Sequence, residues 1–118
     1  MLQEITQGKL AVKNQQGLYI IALEEIVFME KELRKIHIHT REQEIVCYGK
    51  FSDLVPYLDE RFLCCHRSYI FNMDAIVIMT DRQVFLNGNY RIFLGRDTFA
   101  KAKRQFRAYL QKKHLILS

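Results

Sequence analysis

The side chains with chemistry to offer are four histidines, three cysteines and a set of arginines and lysines interrupting apolar segments. His37 and His39 are spaced to share one face of a strand, and His66 beside Arg67 imitates the histidine and cation pair of a small basic nuclease. Nothing completes an enzyme: there is no carboxylate at a spacing that marks an orienting partner, no phosphate-cradling Gly loop, no nucleophile elbow and no HExxH. Cys64, Cys65 and His66 with Cys47 are metal-ligand types, yet neighbouring strand residues point to opposite faces and no CxxC spacing occurs. The chain therefore reads as a non-enzyme without metal or cofactor, its cysteines reduced thiols that fill core space. The cations make a more coherent set. Arg34 and Lys35 end the charged run Glu30 to Lys35, Arg67 sits in the polar break His66-Arg67-Ser68, and Arg96 lies between Gly95 and Asp97. An arginine fork matches O6 and N7 of guanine in the major groove, while Lys and Ser suit phosphate. One such arginine is ordinary for a solvated surface; three, each on a loop beside regular structure, point to nucleic acid.

Those loops need strands to hold them. Lys9 to Lys13 and Leu18 to Ala22 flank Asn14-Gln15-Gln16-Gly17 as a hairpin, with Gly17 supplying a positive φ. Ile26 to Met29 reads as a buried strand, Ile36 and Ile38 alternate with histidines in a second, and Glu44 to Tyr48 is a third; Glu30 to Lys35 is a charged loop between the first two. Ser52 is placed to cap a short helix with Leu54, Leu58 and Phe62 at helical spacing. Leu63 to Phe71, Ala75 to Met79, Val84 to Leu86 and Tyr90 to Leu94 follow as strands, the last two joined by Asn87-Gly88 as a type I′ turn. Asp97 then caps an amphipathic helix with the stripe Phe99, Ala102, Phe106, Tyr109 and Leu110. The fold class is mainly β, with a short internal helix and a C-terminal amphipathic one.

A chain of 118 residues, 49% hydrophobic and 26% charged, has room for one domain and one core. The longest apolar run, Leu18 to Leu23, is six residues, which excludes membrane insertion by a helix, and no basic segment followed by an apolar stretch opens the sequence. A cytoplasmic protein is expected. Residues 91 to 118 hold eight basic residues against Asp97 alone, a balance of +7; the other ten basic and twelve acidic residues balance to −2. The formal +5 therefore belongs to the C-terminal quarter and suggests one face turned to a polyanion.

Glu25 to Glu30, Tyr48-Gly49 before Phe51 to Leu58, the run Phe62 to Asn72 with Ile76, Val84 to Gly88, and Gly95-Arg96 together resemble the LytTR DNA-binding domain family, the output domain of response regulators. His66-Arg67-Ser68-Tyr69 with Asn72 stands at the family's H-R-S-Y-x-x-N signature, and the likeness runs from about Lys9 to Leu110. It implies elongated, layered β-sheets whose loops, rather than a recognition helix, enter successive major grooves of double-stranded DNA and bend it. By matching position, Arg67 and Arg96 are the base-reading side chains and Ser68 a phosphate contact. The loop after Glu30 supplies a third contact through Lys31, Arg34 or Lys35, while His66, Tyr69 and Asn72 shape the loop or core. The pattern departs at Gly95, where many members carry Ser.

The implied activity is transcription regulation in a bacterium, with two copies on repeated half-sites. Family members usually carry an N-terminal receiver domain, which does not fit before Lys9. The chain is thus expected to be either freestanding, and controlled by abundance or a membrane-protein antagonist, or the C-terminal domain of a longer regulator. The competing reading is a protein-interaction module whose basic helix docks an acidic partner without reading DNA.

Overall fold

The computed structural model of the protein describes residues 8–117. Ten strands form three antiparallel sheets. A hairpin of β1 (Lys9–Asn14) and β2 (Gly17–Ala22) packs on one face of a five-stranded sheet ordered β5-β4-β3-β7-β6, made of β3 (Ile26–Glu32), β4 (Lys35–Thr40), β5 (Glu44–Tyr48), β6 (Phe62–His66) and β7 (Tyr69–Asn72). Its other face is covered by β8 (Ile76–Thr80), β9 (Gln83–Leu86) and β10 (Tyr90–Phe93), ordered β10-β9-β8, together with the C-terminal helix α2 (Arg96–Lys112). The described residues extend 44 × 33 × 24 Å. The fold is mainly β, layered and elongated.

Alternation along β3 and β4 builds both cores. Met29 faces Ile38 and Ile70 across the ladder and joins Leu10, Ile21 and Ile45 on the hairpin side. Phe28, one residue earlier, turns the other way, stacks on His39 at 4.3 Å between ring centroids and packs with Phe71, Val84 and Leu94. The central sheet is therefore apolar on both faces, as a middle layer must be.

Several local expectations are corrected. Glu30 to Lys35 is no open loop: β3 runs to Glu32, β4 begins at Lys35, and Glu32 pairs directly with Lys35, leaving only Leu33 and Arg34 in the turn. Gly17 has no left-handed backbone, because the Asn14 Oδ1 accepts from the N–H groups of Gln16 and Gly17, at 2.8 and 3.1 Å, and closes the turn itself. The first helix, α1 (Phe51–Leu54), is capped at Lys50 rather than Ser52, with the Asp53 carboxylate accepting from the Lys50 N–H at 3.3 Å. Pro56 cannot donate to continue it, so a single 3₁₀ turn follows and Phe62 opens β6 instead of ending the helix. Ala75 likewise belongs to a 3₁₀ turn before β8.

The Asn87-Gly88 turn is displaced by one residue, with positive φ at Gly88 and Asn89. Gly88 is favoured by its left-handed φ of 91°, and a Cβ there would also crowd the Tyr90 ring at 3.0 Å. Helix α2 starts one residue before Asp97, with Gly95 at its cap and Arg96 already in the first turn. Cys47 fills core space, and burial pushes its thiol up; Cys65 is half-buried against the second core, and Cys64 is exposed, so the core-filler reading fails for Cys64. His37 and His39 share a face, but they are half-buried and engaged by Glu44 and Glu30 rather than free in solvent.

Candidate nucleic-acid interface

Two of the three cationic segments meet. The β3-β4 hairpin ends level with its neighbours in the sheet, Lys35 still pairing with Tyr48 of β5; Leu33 and Arg34 form its tip, and the Lys31 N–H donates to the Ser68 carbonyl at 2.9 Å, tying it to the β6-β7 turn. That turn is Arg67 and Ser68 alone, between the paired residues His66 and Tyr69. His66 shapes it by accepting the Ser68 N–H on Nδ1 at 2.9 Å. Tyr69 stacks along Phe71, with burial and the nearby Glu30 carboxylate holding its phenol above the ordinary value. Asn72 is buried, donating to the Ile26 carbonyl at 2.8 Å and accepting from the Asp74 N–H at 2.9 Å. The residues of this segment thus divide: His66 and Asn72 hold the backbone, Tyr69 packs on Phe71, and Arg67 lies exposed in the turn.

Arg96 is presented differently, from the first turn of α2, where it is exposed. The helix packs through Phe99, Ala102, Phe106 and Tyr109 against the same core as Leu63 of β6. Its position is also marked by charge: burial pushes the Cys65 thiol up, while the Lys101 ammonium pulls against that shift. Lys101 follows Arg96 by about 7.5 Å of helix rise and approaches the strand that ends in the Arg67 turn. Lys101, Lys103, Arg104 and Arg107 lie exposed on the outer face.

Among the described residues, Lys31, Arg34, Lys35, Arg67 and Arg96 make no ion pair with a carboxylate. Glu30 meets His39 at 2.8 Å and Glu44 meets His37, while the exposed Glu32 and Asp97 make no ion pair with these cations. Lys31 Nζ instead donates to the Leu33 carbonyl at 2.6 Å, bracing the hairpin tip. Exposed cations with no counterion are what a polyanion site requires before binding.

Two features here escaped sequence reasoning. Asp81 and Arg82 form the β8-β9 turn with left-handed φ of 53° and 60°, and neither belongs to the Asn-Gly type that announces such a turn. The Arg82 carbonyl accepts the Leu94 N–H at 2.8 Å, which brings this turn beside the start of α2, and its guanidinium lies 4.8 Å over the Phe93 ring. Leu33 is the other, an apolar side chain 87% exposed at the tip of a basic hairpin.

A model of the LytTr DNA-binding domain matches residues 16–112. The chain belongs to the LytTR DNA-binding domain family. Membership implies DNA binding as its class of activity. The transcriptional regulatory protein NatR of Bacillus subtilis (strain 168) is 30% identical over 70 residues, which are 58% of this chain and 30% of that protein. The LytTR chain thus spans under a third of the length of this curated relative. Among solved structures, the LytTr DNA-binding domain of a protein described as a methyl-accepting/DNA response regulator from Bacillus cereus superposes with a TM-score of 0.70. It covers 86% of this chain and 97% of that one at 16% identity, a likeness of fold. No helix among the described residues is long and apolar enough to cross a membrane.

Proposed function

We propose that this LytTR domain is a sequence-specific, double-stranded DNA-binding module of a cytoplasmic bacterial transcription regulator, reading bases in the major groove through its turns. Arg67 and Arg96 take the role of base readers. Ser68, Lys31 and Lys35 contact phosphate, with Arg34 at the hairpin tip directed to a base. The three sites act as one unit spanning residues 1–118, with its core at about 9–110. What carries this reading is that Arg67, Arg96 and Arg34 are each exposed on a turn or helix start and meet no carboxylate among the described residues, in a family of DNA-binding domains. A guanidinium fork held this way is free to pair with guanine O6 and N7. The 44 Å long axis exceeds the ~34 Å helical repeat of DNA, so one module has the length to follow one side of the duplex across a full turn.

Two copies on repeated half-sites extend the footprint, and control comes from an attached receiver domain or a membrane-protein antagonist. Selection of binding sites from random duplex DNA tests the reading. A recovered motif with a fixed half-site spacing supports it, and enrichment of no motif contradicts it. The exposed cations of α2 favour one alternative, docking of an acidic protein partner; salt-sensitive DNA binding with no base preference would support that instead.

A further inference from the structure

Of the five non-glycine residues with left-handed φ among those described, Leu33 alone is apolar; the others are Asp81, Arg82, Asn89 and His114. A left-handed φ of 58° is costly for a branched, bulky side chain, and leaving that side chain 87% exposed gains nothing from burial. Either cost is removed by Asn or Gly, the residues such a turn prefers. The turn is nonetheless firmly made: Glu32 pairs with Lys35, Lys31 Nζ holds the Leu33 carbonyl at 2.6 Å, and the Gly49 N–H holds the Arg34 carbonyl at 3.0 Å. The backbone therefore presents Leu33 outward at the end of the sheet, on a tight turn between β5 and the β6-β7 turn, with Lys31, Arg34 and Lys35 beside it.

A side chain at the end of a tight turn can reach base edges in the major groove, and the flanking cations suit the phosphates beside it. On the floor of that groove the apolar group is the C5-methyl of thymine. We infer that Leu33 is a specificity-determining residue that packs on a thymine C5-methyl when the β3-β4 hairpin enters the major groove. The inference rests on the DNA-binding reading above and adds a base to it: a pyrimidine methyl beside whatever the arginines read. Local strain and exposure in the free protein are then offset in the complex, where the side chain is buried against DNA.

The test replaces each thymine of the selected operator by uracil, which removes the methyl group and leaves the pairing edge unchanged, and measures affinity at fixed salt for the protein and for Leu33→Gly. Gly relieves the backbone strain, so folding of the variant is secure, and a thermal melt verifies it. At one thymine or more, uracil should weaken the unaltered protein roughly fourfold, what burial of one methyl group supplies, and leave Leu33→Gly unaffected. If no uracil weakens binding, or if every uracil weakens both proteins equally, Leu33 does not read a methyl group and the inference is overturned. Arg67→Ala and Arg96→Ala on the all-thymine operator separate the two levels: their loss of affinity with no uracil effect removes Leu33 alone, whereas unchanged affinity removes the DNA-reading site itself.

Discussion

At the C-terminal end of α2, Lys112 and Lys113 both turn onto Glu60, at 2.7 and 3.5 Å, while Arg61 forks onto the Asp59 carboxylate at 2.9 Å. Some 24 Å of helix away, Arg96 meets no carboxylate, and neither do Arg67 and Arg34 on their turns. The two regions draw on the same residue types with opposite results. Three cations at one end are consumed by the acidic pair Asp59 and Glu60. Those at the other stay exposed and make no ion pair among the described residues, with Glu30 and Glu44 lying against histidines. Net charge therefore misplaces the site: part of the +7 of the final quarter is already neutralised, and the residues proposed to read DNA include three from the nearly balanced remainder of the chain, Arg34, Lys35 and Arg67.

The contrast can be broken at its supports first. Asn72 bridges the Ile26 carbonyl and the Asp74 N–H from a buried position, so Asn72→Ala should lower stability by about 2 to 3 kcal/mol in chemical denaturation. Loss of under 0.5 kcal/mol would show that the signature segment is not held this way. Tyr109→Phe removes the hydroxyl that donates to Asp74 at 2.7 Å and should cost about 1 to 2 kcal/mol while leaving DNA affinity unchanged. Burial, then the bond to Asp74, holds the Tyr109 phenol above its ordinary value. The folded state thus favours the protonated phenol. Its contribution is complete below pH ~10 and declines as pH rises beyond, a decline that Tyr109→Phe should lack. Smallest is Glu60→Gln, which frees Lys112 and Lys113 at a fully exposed site: the melting temperature should hold, and so should the salt slope of operator binding. A steeper slope would place the end of α2 against DNA and erase the contrast.

Much of this was legible in the residues. Alternation marks β4 and the stripe Phe99 to Leu110 marks α2, because period 2 and period 3.6 are read directly from apolar positions. The His66 to Asn72 signature carried the positions of Arg67 and Ser68. Turn details were less legible where a side chain replaces backbone freedom, as Asn14 does for Gly17, or where a turn forms without its usual residues, as at Asp81 and Arg82. Leu33 was hidden for a related reason: within a charged run it reads as one more loop residue until the ladder from Glu32 to Lys35 places it at the tip. Which cations are free was beyond the sequence, since it depends on where Glu30, Glu44 and Glu60 spend their charge.

The central claim is that arginines on turns read bases while the outer face of α2 supplies general attraction. The direct test is equilibrium binding, at fixed salt, of Arg67→Ala, Arg96→Ala and the charge reversal Lys101→Glu with Arg104→Glu to the selected operator and its single-base variants. Each arginine substitution should cost about 1 to 3 kcal/mol on the operator and relax preference at one base position. The charge reversal should weaken every duplex alike and flatten the salt dependence. Unchanged affinity and unchanged base preference in Arg67→Ala and Arg96→Ala would contradict the account.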